Sequence, residues 1–138
     1  MKNVMVRIEA SQRGVDGEEN TMEFITEGKQ YMRNGAMYLV YKESEISGME
    51  GSTTTLKLEE DQVKMKRFGS TSSDMIFKLK ERYTTKYNTP YGNFKMEIYT
   101  KKIEQEIGED QKAKIYVEYM MSIQGLVEST NKLNISIM

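Results

Sequence analysis

An alternation of apolar and polar residues with a period of two runs through most of the chain and constrains its fold more than any other feature. In the stretch 4–10, the valine and isoleucine side chains share one face, whereas Arg7 and Glu9 share the other. The same alternation recurs in "TMEFITEG", "TTLKLEE", "MIFKLK", "FKMEIYT", "KIYVEYMMSI" and "KLNISI". Strands with one apolar and one polar face form antiparallel sheets that are dry on one side and wet on the other.

Short polar segments separate these stretches and predict tight connections between strands. The dipeptide Asn34-Gly35 is the strongest hairpin signal, because both residues tolerate a positive φ. Residues 59–62 and 108–110 predict further tight turns, and residues 69–74 ("GSTSSD") predict a longer one.

The apolar face changes parity within the stretch 94–107. It falls on even positions as far as Ile98 and on odd positions from Ile103 onward. A β-bulge inserts one extra residue and so reverses the alternation. We therefore expect a bulge or a break between Tyr99 and Lys102.

Roughly eight to ten strands joined mostly by short turns predict an all-β fold with a single domain over residues 1–138. A single antiparallel β-barrel is favoured, since closure removes the exposed strand edges of an open sheet. A barrel of about eight strands is wide enough to be filled by side chains or to hold one small ligand. A two-sheet sandwich is the alternative.

The composition excludes several kinds of chemistry. The chain has no Cys and no His, so disulfides, a thiolate nucleophile and the commonest ligands of zinc, copper and iron are missing. Without a phosphate loop or a dinucleotide fingerprint, we expect neither a metal nor a cofactor. Twenty basic residues against 21 acidic ones argue against nucleic acid as a partner. No apolar run approaches the ~18 residues of a membrane helix and no signal peptide is visible, so we expect a soluble, cytoplasmic protein.

Several segments together resemble a known family. Residues 51–77 and 87–104 combine a threonine-rich strand, an Arg-x-Gly-Ser turn and the tetrapeptide "TPYG". With residues 26–51 and 131–137, they resemble the YwiB-like family of uncharacterised bacterial proteins. The resemblance implies a calycin-like or lipocalin-like antiparallel barrel. It implies no activity, because that family is a domain of unknown function without catalytic residues that could be carried over.

Arg67 is the most informative charged residue. In "VKMKRFG" it shares a face with the apolar Val63 and Met65. An arginine that faces the inside of a barrel must be paired or lie near the mouth, because burial of an unpaired charge is prohibitive. The planar guanidinium of Arg67 could then bind the carboxylate or phosphate of a ligand through two parallel hydrogen bonds. The alternatives are a structural ion pair with a glutamate, or a bulge near Phe68 that places Arg67 in solvent.

The loop after Arg67 and the aromatic residues around Pro90 supply the other candidate ligand contacts. Ser70, Thr71, Ser72 and Ser73 offer hydroxyls at the expected barrel mouth, with Ser70 and Ser72 as the candidate contacts, although such residues commonly bond to the backbone of their own turn. The tyrosines near the chain's one proline have a rigid apolar body with a polar tip, which suits contact with a ligand or a partner. The aromatic candidates are Tyr87, Tyr91 and Tyr99.

No arrangement of residues indicates catalysis. Neither a nucleophile–base pair nor a nucleophile elbow is visible, and Glu43 and the carboxylates at 59–61 are interpreted as solvated residues of turns. Several of the 12 methionines fall on apolar faces, where they fill a core or line an adaptable binding surface.

We therefore predict a non-enzymatic binding module that holds a small, partly apolar, anionic ligand in the barrel. The alternative is an interaction protein or a self-associating barrel, with a packed interior and a docking surface around residues 87–99. An enzyme ranks third. The volume inside the barrel discriminates between the first two hypotheses.

Overall fold

The computed structural model of the protein describes residues 1–124 and 127–138. Within these residues the chain forms ten β-strands and one short 3₁₀ helix, Glu45–Ser47. The strands are β1 (Lys2–Gly14), β2 (Glu19–Arg33), β3 (Ala36–Lys42), β4 (Ser52–Leu58), β5 (Gln62–Gly69), β6 (Ser72–Lys78), β7 (Arg82–Thr89), β8 (Gly92–Ile107), β9 (Ala113–Ile123) and β10 (Val127–Ile137). No helix in the described part of the chain is long and apolar enough to cross a membrane.

Pairing of the first strand with the last closes the sheet into a barrel. Each strand lies antiparallel to its neighbours in the chain, and β1 also pairs antiparallel with β10. The predicted all-β antiparallel barrel is therefore confirmed, with the strand number at the upper end of the expected range. The closed order excludes the alternative of two separate sheets.

The hairpin and the bulge that the sequence predicts are both confirmed. Asn34 and Gly35 have φ angles of 51° and 80° and connect β2 to β3 as a two-residue turn. In β8, the step from Thr100 to Lys102 covers two residues, whereas β9 advances by one residue opposite it. The bulge lets β8 keep apolar side chains toward the interior on both sides of the irregularity.

The longer turn predicted at residues 69–74 is wrong. β5 ends at Gly69 and β6 begins at Ser72, so two residues connect them. Gly69 makes this tight turn possible, since its φ is 124° and a Cβ at this position would overlap the carbonyl oxygen of Gly51. The hydroxyl of Ser52 accepts a hydrogen bond from the amide of Thr71 at 3.0 Å. The hydroxyl of Ser70 also lies 3.1 Å from that of Ser52, so this segment bonds to the start of β4 through both its backbone and a side chain.

The two ends of the barrel differ in how the interior is filled. The connections 15–18, 43–51, 70–71 and 90–91 lie at one end, which we call the mouth end. From the middle of the barrel to the opposite end, buried apolar side chains occupy most of the interior. The fully buried ones include Leu39, Leu56, Phe77, Ile98, Val117 and Ile135. Burial of each such side chain stabilises the fold by roughly 2 kcal/mol.

The seam between β6 and β7 is the thinnest part of the wall. In the described barrel, the pairs that join these strands are Ser72–Asn88 and Ser73–Tyr87, both near the mouth end. Beyond the end of β6, the chain crosses toward β8, where the amide of Lys80 donates to the carbonyl of Thr100 at 2.8 Å. The wall is therefore closed near the mouth end by β7 and below it partly by β8.

Candidate functional site

A row of directly paired residues crosses five strands on the inner face near the mouth end. Tyr41 on β3 lies opposite Thr54 on β4, and Thr54 lies opposite Arg67 on β5. Arg67 in turn lies opposite Ser73 on β6, and Ser73 opposite Tyr87 on β7. Directly opposite residues of an antiparallel pair have Cβ atoms about 5 Å apart. The fold thus places a cation, two hydroxyls and two phenols side by side on the inner face of the barrel.

Arg67 is buried within this row and holds contacts with three side chains. Its Nε donates a hydrogen bond to Thr54 Oγ1 at 3.2 Å, and its Nη2 donates to the sulfur of Met65 at 3.5 Å. Its Nη2 also lies 3.6 Å from Glu43 Oε1, in a pair whose side chains are 8% and 2% exposed. The predicted inward orientation of Arg67 is confirmed, and the ion pair with a glutamate, one of the alternatives, is present. The alternative of a solvent-exposed Arg67 is wrong.

Glu43, the partner of Arg67, follows the last residue of β3 and is buried. Its Oε1 accepts a hydrogen bond from Thr54 Oγ1 at 3.3 Å, whereas the buried Oε2 has no hydrogen-bond partner among the described residues. Burial raises the pKa of Glu43 above its ordinary value, and Arg67, Thr54 and Ser47 oppose that rise. The interpretation of Glu43 as a solvated turn residue is wrong, because the inward parity of β3 continues through position 43.

Two phenols lie near the ion pair. Burial raises the pKa of Tyr41, and the carboxylate of Glu43 adds to the rise, while the charge of Arg67 opposes it. Burial likewise raises the pKa of Tyr119 on β9, again against the effect of Arg67. Both phenols therefore stay neutral across the physiological range and can act as hydrogen-bond donors.

A cavity of about 530 Å³ extends from this polar row to the mouth. Arg67, Glu43, Tyr41, Tyr87 and Tyr119 contribute to its wall, and residues 46–49 of the β3–β4 connection lie over it. Half of the chain's 12 methionines line it. They are Met22, Met49, Met65, Met75, Met96 and Met121. Methionine side chains are unbranched and polarizable, so this part of the wall can adapt to the shape of an apolar group.

The structure brings two of the six predicted contact residues to the cavity, Arg67 and Tyr87. Ser70 is exposed, and its hydroxyl donates to the carbonyl of Glu50 at 2.7 Å. Ser72 is half-buried and pairs with Asn88. Among the hydroxyls of residues 70–73, the one directly opposite Arg67 is that of Ser73, which is buried and has no hydrogen-bond partner among the described residues.

The other two predicted tyrosines lie on the outer surface. Tyr91 is at the tip of the β7–β8 turn and is 94% exposed. Tyr99 is half-buried on the outer face of β8, where its ring lies 5.2 Å from the guanidinium of Arg82. Neither lines the cavity, so any role in binding at these two positions concerns the exterior of the barrel.

Glu43, Thr54 and Tyr119 are site residues that the sequence did not point out. The parity of their strands could have found the last two, since each alternates in step with apolar residues of the same strand, as Thr54 does with Leu56. Within residues 1–124 and 127–138, no group of three or more acidic side chains is placed to hold a metal ion.

The fold and the site together define a class of protein: a closed, ten-stranded antiparallel β-barrel with a buried ion pair beside a cavity at one end. The chain belongs to the family described as "Domain of unknown function (DUF1934)", whose model matches residues 6–135. This match confirms the resemblance noted in the sequence.

Two comparisons with individual proteins agree with this assignment. The chain is 26% identical over 121 residues to the "Uncharacterized beta-barrel protein YwiB" of Bacillus subtilis (strain 168), covering 88% of this chain and 83% of YwiB. The crystal structure of the ywiB protein from Bacillus subtilis superposes with a TM-score of 0.85 over 98% of this chain and 89% of that chain, at 22% identity. At that identity the structural match shows the common fold alone.

Proposed function

We propose that the barrel is a non-enzymatic binding module that holds a small, partly apolar ligand with an anionic end. The observation that carries this proposal is a buried arginine in the wall of a 530 Å³ cavity to which six methionine side chains also contribute. Cavities of about 300–1,000 Å³ with an apolar wall and a few convergent polar groups are typical of small-molecule sites. The cytoplasmic location and the calycin-like relationship inferred from the sequence stay part of this proposal.

The anionic end of the ligand would bind to Arg67. Of the five N–H donors of a guanidinium, the described side chains accept two, and one of these acceptors is the weak thioether sulfur of Met65. The carboxylate of Glu43, at 3.6 Å, is close enough for an ion pair and too far for a hydrogen bond. Donors therefore remain for the oxygens of a carboxylate, sulfonate or phosphate, which Arg binds through parallel N–H···O bonds.

The apolar end of the ligand would contact the methionine side chains that line the cavity. Met65 and Met75 lie directly opposite each other across β5 and β6, and both are buried. Because methionine side chains change conformation at low cost, such a wall suits a flexible chain better than one rigid ring system. A medium-chain carboxylate combines this tail with an anionic head, so decanoate is a suitable probe.

Native mass spectrometry of the freshly purified protein tests the proposal first, because it shows any small molecule that remains bound. Calorimetric titration with decanoate then tests the role of Arg67. We expect Arg67→Gln to weaken binding at least tenfold. Arg82→Gln, which removes an exposed arginine paired with Glu97 on the outer face, is the matched control and should leave binding unchanged.

Two outcomes would overturn the proposal. The first is a protein that carries no small molecule and binds neither decanoate nor a sulfonate of the same chain length. The second is binding that is equally tight in Arg67→Gln and in Arg82→Gln, which would show that the anion does not bind to the buried guanidinium.

The exposure of Tyr91 supports a second candidate function, contact with a protein partner or a second copy of the chain. Tyr91 is 94% exposed at a turn tip, where a rigid apolar body with a polar tip is available for contact with a partner. Val15, in another connection of the mouth end, is 84% exposed. Light scattering coupled to gel filtration tests self-association, which we expect Tyr91→Ser to weaken. A wild-type protein that is monomeric at high concentration would show that the chain does not self-associate.

A further inference from the structure

The charges inside the cavity limit the kind of anion that it can take. Three charged side chains line it: Glu43, Arg67 and Lys132. Lys132 is more than half exposed and lies 3.9 Å from the carboxylate of Glu118 on the neighbouring strand, so its charge is directed outward. Within the described cavity, the buried charges are therefore one cation and one carboxylate, 3.6 Å apart.

An anion that binds to Arg67 places a second negative charge beside the carboxylate of Glu43. Two anions that share a buried site cannot both stay ionised at low cost, and the pKa of one of them rises strongly. Glu43 is already disposed to take a proton, because it is 2% exposed and its Oε2 accepts no hydrogen bond from the described residues. A proton on Oε2 would convert this oxygen into a donor for the head group of the ligand.

We propose, on the basis of the proposed function, that the site takes up a singly charged anion together with one proton, which binds to Glu43. The proton comes from solvent, so the cavity with its ligand has the same net charge as without it. Arg67 then bonds to the anion, and the protonated Glu43 donates to it. A head group with two negative charges would leave one charge uncompensated and should bind more weakly.

The other groups around Glu43 do not account for such a proton. The titratable and charged groups that face the cavity from the surrounding elements are Tyr41 on β3, Arg67 on β5, Tyr87 on β7, Tyr119 on β9 and Lys132 on β10. Burial raises the pKa of Tyr41 and of Tyr119, so both already hold their protons at neutral pH. Glu45 in the 3₁₀ helix is exposed to solvent.

Calorimetry with 1-decanesulfonate tests the inference, because the sulfonate stays ionised throughout and every proton taken up must bind to the protein. Titrations of the full chain at pH 8 in triethanolamine and in Tris, which differ in ionisation enthalpy and add no competing oxyanion, give the number of protons. We expect uptake approaching one proton for the wild type, and a dissociation constant that rises up to tenfold per pH unit. For Glu43→Gln we expect no uptake and a dissociation constant independent of pH.

Glu23→Gln is the matched control, since Glu23 is an exposed carboxylate paired with Arg7 on the outer face. It should keep the proton uptake of the wild type. Decyl phosphate at pH 8.5, whose head group carries two charges, should bind at least tenfold more weakly than the sulfonate. The wild-type measurement needs no variant, so the test does not depend on the folding of Glu43→Gln.

The outcomes separate the inference from the proposed function. Binding of the sulfonate that depends on Arg67 without proton uptake, or with equal uptake in Glu43→Gln, would overturn the coupling and leave the proposed function standing. Equally tight binding of decyl phosphate would overturn the preference for a single charge. Binding that does not depend on Arg67, or no binding at all, would overturn the proposed function and the coupling with it.

Discussion

Thr54 Oγ1 accepts a hydrogen bond from Arg67 Nε at 3.2 Å, and this contact connects the two buried charges of the barrel. The same hydroxyl donates to Glu43 Oε1 at 3.3 Å, so it bonds to both partners of the ion pair. The cation and the carboxylate are held near each other by a neutral group, and their direct separation of 3.6 Å is longer than a hydrogen bond. The two charges thus neutralise each other. Because no direct hydrogen bond joins them, another anion can compete with Glu43 for Arg67.

Removal of one charge should cost far more than removal of both. At pH 8 we expect Arg67→Met to lower the free energy of unfolding by about 3 kcal/mol, because it leaves the carboxylate of Glu43 buried without compensation. The double variant Arg67→Met/Glu43→Gln should recover most of this loss. Urea unfolding of both variants and of Glu43→Gln gives the coupling energy. Additive effects of the two substitutions would contradict the prediction.

Stability should depend on pH through Glu43 in a definite direction. Burial raises the pKa of Glu43 in the folded protein above the ordinary value of 4.5, so the folded state holds the proton more tightly than the unfolded chain. The contribution of Glu43 is therefore fully present below pH 4.5 and is lost as the pH rises through the folded-state pKa. Urea unfolding of the wild type and of Glu43→Gln from pH 4 to pH 8 measures it. The wild type should lose stability relative to Glu43→Gln as the pH rises, and a relative gain would refute the assignment.

Loss of the Ser73 hydroxyl should affect binding more than folding. Its oxygen is buried without a partner among the described residues, so Ser73→Ala should leave the free energy of unfolding unchanged or raise it by up to about 1 kcal/mol. Because Ser73 lies opposite Arg67, we expect the same variant to weaken decanoate binding several-fold. Urea unfolding and calorimetric titration measure the two effects.

Ser129 provides the contrast for this experiment. It is also buried, but its hydroxyl accepts a hydrogen bond from the side-chain amide nitrogen, Nδ2, of Asn131 at 3.0 Å. Ser129→Ala should therefore lower the free energy of unfolding by about 1 kcal/mol. If Ser73→Ala destabilises the protein as much as Ser129→Ala does, Ser73 has a structural partner and its proposed role is wrong.

Gly69 should be the glycine least tolerant of a side chain. Its φ is 124°, and an added Cβ would overlap the carbonyl oxygen of Gly51 and lie 2.9 Å from Ser52 Cα. We expect Gly69→Ala to cost at least about 2 kcal/mol in the free energy of unfolding. Gly17 has a φ of 84° and open space around it, so a side chain there meets backbone strain without a steric overlap. Gly17→Ala should therefore cost about 1 kcal/mol in the free energy of unfolding. Equal losses in thermal unfolding would show that the contact with Gly51 is relieved.

The features that the sequence predicts well are those set by local alternation. The period of two places Val6, Leu56 and Phe77 inside, and the structure confirms that each is buried. The change of parity after Ile98 predicts the bulge, because a strand that keeps its apolar face inward must insert a residue where its pattern shifts. The inward position of Arg67 follows from the same rule.

The features that the sequence does not predict depend on contacts between distant segments. β7 is not recognised as a strand because its inner positions include Thr85 and Thr89, which do not stand out from their polar neighbours. The identity of the partner of Arg67 is invisible as well, since Glu43 lies 24 positions away and follows the end of an apolar run. Strand order, which brings β3, β4 and β5 together, is needed before that pair can be inferred.

The seam between β6 and β7 has a mechanical consequence for the barrel. Near the mouth end, Ser72–Asn88 and Ser73–Tyr87 are the described pairs that hold these strands together, whereas the register of β1 and β2 extends from Lys2–Gln30 to Arg13–Glu19. Local opening of the wall should therefore begin at this seam, and the amides of β6 should exchange with solvent faster than those of β1. A molecule that contacts Arg67 on β5 and Tyr87 on β7 would bridge the two sides of the seam. Binding in the cavity should therefore slow the exchange of amide hydrogens in the barrel wall.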